Sequence, residues 1–160
     1  HQQDDLIETY YLQRKRGGYI ETWGIKEDLS IFGMEVIRPL LDKSKEELSM
    51  YCFEHNVPFA IDKSNYSDDF SRNVIRHTIV SKLNPRERKF MIDEINEKNE
   101  KIKSIYNSLK GKDLHHKLVL LSLEEEHFYR ALTMLVREVD IKQSLSIKCM
   151  NEIKKILSIK

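Results

Sequence analysis

The apolar positions of this chain change their spacing at one place. Up to about Asp62, short runs that suit strands mix with helical segments; after Ile79 nearly every segment repeats its apolar residues at three and four. The stretch between opens as a polar turn, in which Ser, Asn and Asp compete for backbone hydrogen bonds, and reads as a helix from about Phe70. Val74, Ile75, Thr78 and Ile79 make one apolar face of that helix, and Arg72 and Arg76, four apart, share another.

The other elements follow from their start and stop signals. A helix from His1 to about Arg16 carries acids in its first turn and Arg14, Lys15 and Arg16 in its last, and Gly17-Gly18 ends it. Trp23-Gly24-Ile25 suits a turn or a short helix. Leu29 to Phe32, then Gly33, then Met34 to Leu41 predict a hairpin closed near Gly33 and ended by Pro39. Ser44 with Glu47 is a capping box that starts a helix to about Asn56, whose Leu48, Tyr51, Cys52 and His55 face inward. Pro58 to Asp62 reads as a short strand. Asn84-Pro85-Arg86-Glu87 supplies a cap, a first-turn proline and a closing acid for a helix running to Leu109, with Gly111 as terminator. Its seam is Met91, Ile95, Ile102, Ile105 and Leu109, interrupted by the polar Asn96 to Lys101. Ser122 and Glu125 predict a further capping box ahead of a stripe made by Phe128, Ala131, Leu132, Leu135, Val136 and Val139. A last helix from about Ser144 uses Cys149, Met150, Ile153, Ile156 and Leu157; both stripes read as helix-bundle core.

Composition narrows the class. At 160 residues, 40% hydrophobic and 33% charged, the chain suits one domain, or a small domain plus part of another, with a buried core. A net charge of +1 leaves any nucleic-acid contact to local patches. The two cysteines, Cys52 and Cys149, form no Cys-x-x-Cys pattern, which argues against a zinc ribbon or an iron–sulfur cluster and fits a reducing compartment. No apolar run is long enough to span a membrane, and no signal peptide or Gly-rich phosphate loop is visible. The chain begins at His1, directly in a charged motif, and reads as a fragment.

Two clusters carry candidate chemistry. Arg72 and Arg76, held in parallel beside a turn full of acceptors, suit a carboxylate or a phosphate; a solvated helix face explains the same spacing. Asp4, Asp5 and Glu8 gather carboxylates beside His1, suited to magnesium or an ammonium group, or simply to the helix dipole. Arg86, Arg88, Lys89, Lys98, Lys101 and Lys103 make the long helix locally basic, although interspersed glutamates suit a solvated face. His115-His116 has no partner ligand at helical spacing and reads as a surface pair.

The order of these motifs resembles one family. His1-Gln2-Gln3-Asp4-Asp5-x-x-Glu8-Thr9 is similar to the His-His-x-Asp-Asp-x-x-Glu-Thr motif of tRNA(Ile)-lysidine synthetases, ATP-dependent enzymes of the PP-loop superfamily. The resemblance continues through Arg16-Gly17, Ile37-Arg38-Pro39-Leu40-Leu41, Pro58-Phe59-x-x-Asp62-x-Ser64-Asn65 and Ser71-Arg72-Asn73-x-Ile75-Arg76-His77-x-Ile79. It covers about the first half of the chain; the helical remainder matches only in kind. Gln2 stands where the family has its second His, Lys63 where it often has Pro, and the Gly-rich pattern after Arg16 is altered to Gly-Gly-Tyr-Ile-Glu-Thr-Trp-Gly. The family's Ser-Gly-Gly-x-Asp-Ser ATP loop is absent from these residues, so alone they are expected to be inactive.

The resemblance implies a mainly α fold with a small β component. Residues 1–83 would be the C-terminal part of an α/β PP-loop (adenine nucleotide α-hydrolase-like) domain, and 84–160 a helical tRNA-binding or accessory domain. It implies ligation of lysine to C2 of the wobble cytidine of tRNA(Ile) with anticodon CAU, through an adenylated tRNA, with ATP and Mg2+, in the cytoplasm. Asp4, Asp5 and Glu8 would be catalytic, and Asp5, Glu8, Arg72 and Arg76 would bind lysine. His1 would serve ATP, and Arg72, Asn73, Arg76, His77, Arg86, Arg88 and Lys89 the tRNA. Homodimerisation stays open. Competing readings are another PP-loop tRNA-modifying or amidating enzyme and a non-catalytic helical tRNA- or protein-binding module.

Overall fold

The computed structural model describes residues 1–31, 34–60, 71–139 and 144–159. The turn at Gly33 and the polar turn from Asp62 to Phe70, with Ser64 and Asn65, lie outside the described residues. The chain is mainly helical with one small antiparallel sheet. Packing divides it into two compact units, His1–Lys98 and Asn99–Lys160. That division falls inside a helix that begins just after Asn84.

In the first unit, α1 (Gln3–Arg16) is capped at both ends. Gln2 accepts from the Asp4 amide at 2.8 Å, and Asp5 accepts from the Gln2 amide at 3.0 Å. Gly17 ends the helix at a φ of 64°, where a side chain is disfavoured. The strands β1 (Asp28–Ile31) and β2 (Met34–Ile37) pair with Ile31 opposite Met34, as the hairpin pattern predicts. Then come α2 (Lys45–Glu54), α3 (Ser71–Thr78), a 3-10 turn (Val80–Lys82) and α4 (Pro85–Leu109).

The unit's core gathers Leu6, Ile7 and Tyr10 of α1, Ile75 of α3, Val80, and Met91 and Ile95 of α4. Between α1 and the sheet, the Trp23-Gly24 bend is clamped by Gln13, whose side chain donates to the Thr22 carbonyl at 3.0 Å and accepts from the Gly24 amide at 2.7 Å. A Cβ on Gly24 would sit 2.5 Å from Leu6 Cδ1, and its φ is +70°, so glycine is required there. Tyr10 donates to Glu94 Oε1 at 2.6 Å; burial, and then that carboxylate, push its hydroxyl pKa up to about 12.

Three expectations change in this unit. The capping box of α2 forms, yet the helix buries no residue, and Tyr51 and His55 stack on each other at its surface with centroids 4.1 Å apart. Capping is local, whereas burial needs a neighbour, and among the described residues no element of the unit fully buries a residue of that helix. Val57 to Ala60 has no regular structure, because the two-stranded sheet extends no ladder to it; Ile61 and Asp62 lie outside the described residues. On α3, Ile75 is buried and Ile79 half-buried, but Val74 and Thr78 are exposed, so the apolar face is narrower than its spacing predicts.

The second unit holds the end of α4, then α5 (Lys117–Leu121), α6 (Glu125–Val139) and α7 (Ile147–Ser158). Ile102, Leu109, Leu114, Leu120, Phe128, Tyr129, Ala131, Leu132 and Met150 are buried. Leu135 and Val136 are half-buried, while Val139, Ile156 and Cys149 are exposed, so both stripes are narrower than their spacing predicts. The capping box expected at Ser122 is not formed: α5 ends there, and the Ser122 hydroxyl donates to the Val119 carbonyl at 2.7 Å. The last helix, expected from about Ser144, begins at Ile147 with Ser146 as its cap.

Candidate active site

The polar centre of the first unit joins α1 to α3. Helical periodicity puts Asp5 and Glu8 on one side of α1, and the same rule puts Arg72 and Arg76 on one side of α3. Glu8 is fully buried. Its Oε2 accepts from Arg72 Nε at 2.8 Å and from Arg76 Nη2 at 3.1 Å, and its Oε1 accepts from Arg76 Nε at 2.6 Å. Asp5 Oδ1 accepts from Arg72 Nη2 at 3.0 Å, while its other oxygen holds the Gln2 amide. Two carboxylates thus face two guanidiniums that lie more than sixty residues away in sequence, with separations of 64 and 68 for the Glu8 pairs.

Desolvating a carboxylate is tolerable only where opposite charge and donors replace water, which this cluster supplies. Hydrogen bonding to Glu8 is the largest influence raising the Arg76 pKa above its usual value. The arginines differ in access: the Arg72 side chain is 41% exposed and that of Arg76 is 22%, so Arg72 is the one a ligand reaches more readily.

Asp4 is turned elsewhere. It is buried and ion-paired with Arg88, whose Nη2 donates to the Val80 carbonyl at 3.0 Å and whose Nε donates to that of Leu83 at 3.3 Å. Arg88, expected on an RNA-facing surface, is therefore not part of one here: all three arms of its fork are directed inward. Arg86 and Lys89 are exposed on the same turn of α4. Lys98 and Lys103 pair with Glu94 and Glu100 of their own helix, at 3.6 and 3.3 Å, which fits a solvated face for that part of the basic pattern. Asn73 and His77, on α3, are half-buried and engaged.

His1 accepts through Nδ1 from Arg38 Nε at 3.3 Å, and Arg38 Nη1 also donates to the Lys26 carbonyl at 2.9 Å. Arg38 carried no role in the sequence reading, although Ile37-Arg38-Pro39 stood among the resembling motifs; that motif was the available signal. The capping role of Gln2 was likewise missed, because Gln is an uncommon N-cap.

The acids do not form a magnesium site among the described residues. No group of three potential ligands converges, and each of the three carboxylates is taken by a guanidinium. Backbone amides at a helix N-terminus can receive an anion, but at the start of α1 the Gln2 amide is taken by Asp5 and the Asp4 amide by Gln2.

A family model described as the PP-loop domain matches residues 1–83. The chain belongs to the PP-loop domain family. The match covers the whole α1–α3 cluster and stops before α4, whose Met91 and Ile95 nonetheless pack into the PP-loop core. The family is one of ATP-binding domains. Relatives of this PP-loop chain include three proteins named tRNA(Ile)-lysidine synthase. The one from Wigglesworthia glossinidia brevipalpis is 34% identical over 132 residues, covering 76% of this chain and 33% of its own length. The Mycoplasma mycoides subsp. mycoides SC protein is 33% identical over 124 residues, 75% of this chain and 30% of its own length. That of Mesomycoplasma hyopneumoniae is 34% identical over 83 residues, 51% of this chain and 28% of its length. The PP-loop chain thus spans about a third or less of each of these relatives. No helix among its described residues is long and apolar enough to cross a membrane.

Proposed function

We propose that this chain carries the lysine-binding part of a cytoplasmic tRNA(Ile)-lysidine synthase, a ligase that joins lysine to C2 of the wobble cytidine in tRNA(Ile) with anticodon CAU. The observation that carries the reading is the Asp5–Glu8–Arg72–Arg76 cluster, in a PP-loop chain whose relatives bear that name. A free amino acid presents an ammonium and a carboxylate on one carbon. Two acids beside two guanidiniums complement both charges, so a bound lysine exchanges internal ion pairs for its own. Asp5 and Glu8 take the α-ammonium, and Arg72, the more exposed arginine, takes the carboxylate. Arg76 stays on Glu8, hydrogen-bonded to both of its oxygens. The ε-amine is left free to attack C2 of the cytidine, which in such enzymes has been adenylated by ATP, forming the C–N bond as the C2–O bond breaks, AMP leaves and the amine gives up a proton; positioning two substrates against each other supplies much of the rate.

Residues 84–160 serve in this proposal as a helical accessory domain, with Arg86 and Lys89 offered to tRNA phosphates. Each neutralised phosphate adds about 0.7–0.9 to the slope of log affinity against log salt.

The test separates the two half-reactions in the full-length protein. Asp5→Asn, Glu8→Gln and Arg72→Ala each remove a charge-assisted hydrogen bond worth about 1.5–3 kcal/mol, so lysine binding weakens about 10- to 100-fold. ATP-dependent adenylation of the tRNA persists. Normal lysine transfer in both acid variants overturns the assignment and leaves the cluster a structural tie between α1 and α3.

A further inference from the structure

We propose that Arg88 is a positioning residue for the amino-acid site, setting the separation between its acidic and basic halves. The inference rests on the lysine reading of Asp5 and Glu8. The acids stand on α1 and the arginines on α3, and neither helix by itself fixes the distance between them. Arg88 touches both sides. One arm of its guanidinium pairs with Asp4, next to Asp5 and one turn before Glu8. The other two hold the Val80 and Leu83 carbonyls, in the turn through which α3 leads into α4. Both members of the pair are buried, so the contact is shielded from water and salt.

The planar fork spreads its donors over three nitrogens in fixed directions; lysine gathers its three donors on one nitrogen at the end of a flexible stem, so it keeps the charge and loses the geometry. Arg88 is buried and each nitrogen of its guanidinium is engaged within the protein, so its effect on the reaction passes through the placing of Asp5 and Glu8 against Arg72 and Arg76.

Arg88→Lys and Asp4→Asn in the full-length protein test this. Steady-state kinetics give separate KM values for lysine and tRNA, and NMR follows the Nε–Hε signals of Arg72 and Arg76. Misplacement of about 1 Å can lower a rate about 100-fold, so the lysine kcat/KM is expected to fall about 10- to 100-fold, chiefly through KM. The tRNA KM should stay unchanged, and both Nε–Hε signals should shift or broaden. A raised tRNA KM with a smaller salt slope and an unchanged lysine KM overturns the proposal and makes Arg88 an RNA contact. Unchanged KM values with intact Nε–Hε signals overturn it as well. If the wild-type protein does not use lysine, the functional reading fails. The Nε–Hε signals still decide the positioning role: perturbed in Arg88→Lys they support it, intact they refute it. Should Arg88→Lys not fold, Asp4→Asn, which keeps the side chain's shape, carries the same readouts.

Discussion

The two compact units bury different chemistry. In His1–Lys98, Asp4, Glu8 and Arg88 are buried along with the apolar core, and most of the charged contacts join residues more than sixty positions apart. In Asn99–Lys160 the interior is mainly an aliphatic and aromatic cluster around Phe128 and Met150, both fully buried, and its buried Arg130 pairs with Glu126, four residues away on the same helix. Its polar contacts are shorter in range, such as Tyr129 to Glu125 at 2.5 Å and to Asn151 at 2.7 Å. An apolar core is tolerant in direction and needs only volume and helical period, whereas an ion cluster needs each partner placed. The first unit therefore gives up packing freedom for geometry at one polar centre.

Four measurements sharpen or break this contrast. The largest effect is expected from Phe128→Ala, which removes a fully buried ring from the apolar unit and costs about 3–5 kcal/mol, little altered by salt or pH. Chemical denaturation of the full-length protein at two salt concentrations checks it, and strong salt dependence would break the contrast.

Next comes Tyr10, whose pKa rises from 10.0 to about 12 in the folded state. A raised folded pKa gives stability that is fully present below about pH 10 and is lost as pH climbs through about 12. At about 1.4 kcal/mol per pKa unit, this is about 2–3 kcal/mol. Tyrosinate absorbance should show one late-titrating tyrosine that Tyr10→Phe removes, together with the matching part of the alkaline loss of stability.

The Glu8–Arg76 double-mutant cycle ranks third. Glu8→Gln and Arg76→Met are expected to couple by about 0.5–3 kcal/mol, because either change alone leaves its partner without full compensation. A coupling near zero would make the cluster no more than a set of independent contacts. The smallest effects concern caps. Asn84 accepts from the Glu87 amide at 2.9 Å, so Asn84→Ala should lower stability by about 1 kcal/mol. Ser122→Ala, which removes no cap, should stay within about 0.5 kcal/mol. Equal losses at both positions would mean that Ser122 caps α6 after all.

The sequence by itself determined what depends on near neighbours along the chain. The boxes at Ser44 and Asn84, the stop at Gly17, the presence of a hairpin between Leu29 and Ile37 and the Phe128–Ala131–Leu132 stripe all rest on residues within a few positions of one another. The motif order legible from His1 to Ile79 likewise agrees with a PP-loop match over residues 1–83. Only the tertiary structure decided how distant charges are paired: that Arg72 and Arg76 meet Glu8, and that Arg88, next to the exposed Lys89, turns inward to Asp4. It also decided that α2, amphipathic by pattern, buries nothing. Period and capping are properties of one helix. Burial and ion pairing belong to two surfaces meeting, and the spacing along either segment carries no information about which surface it meets.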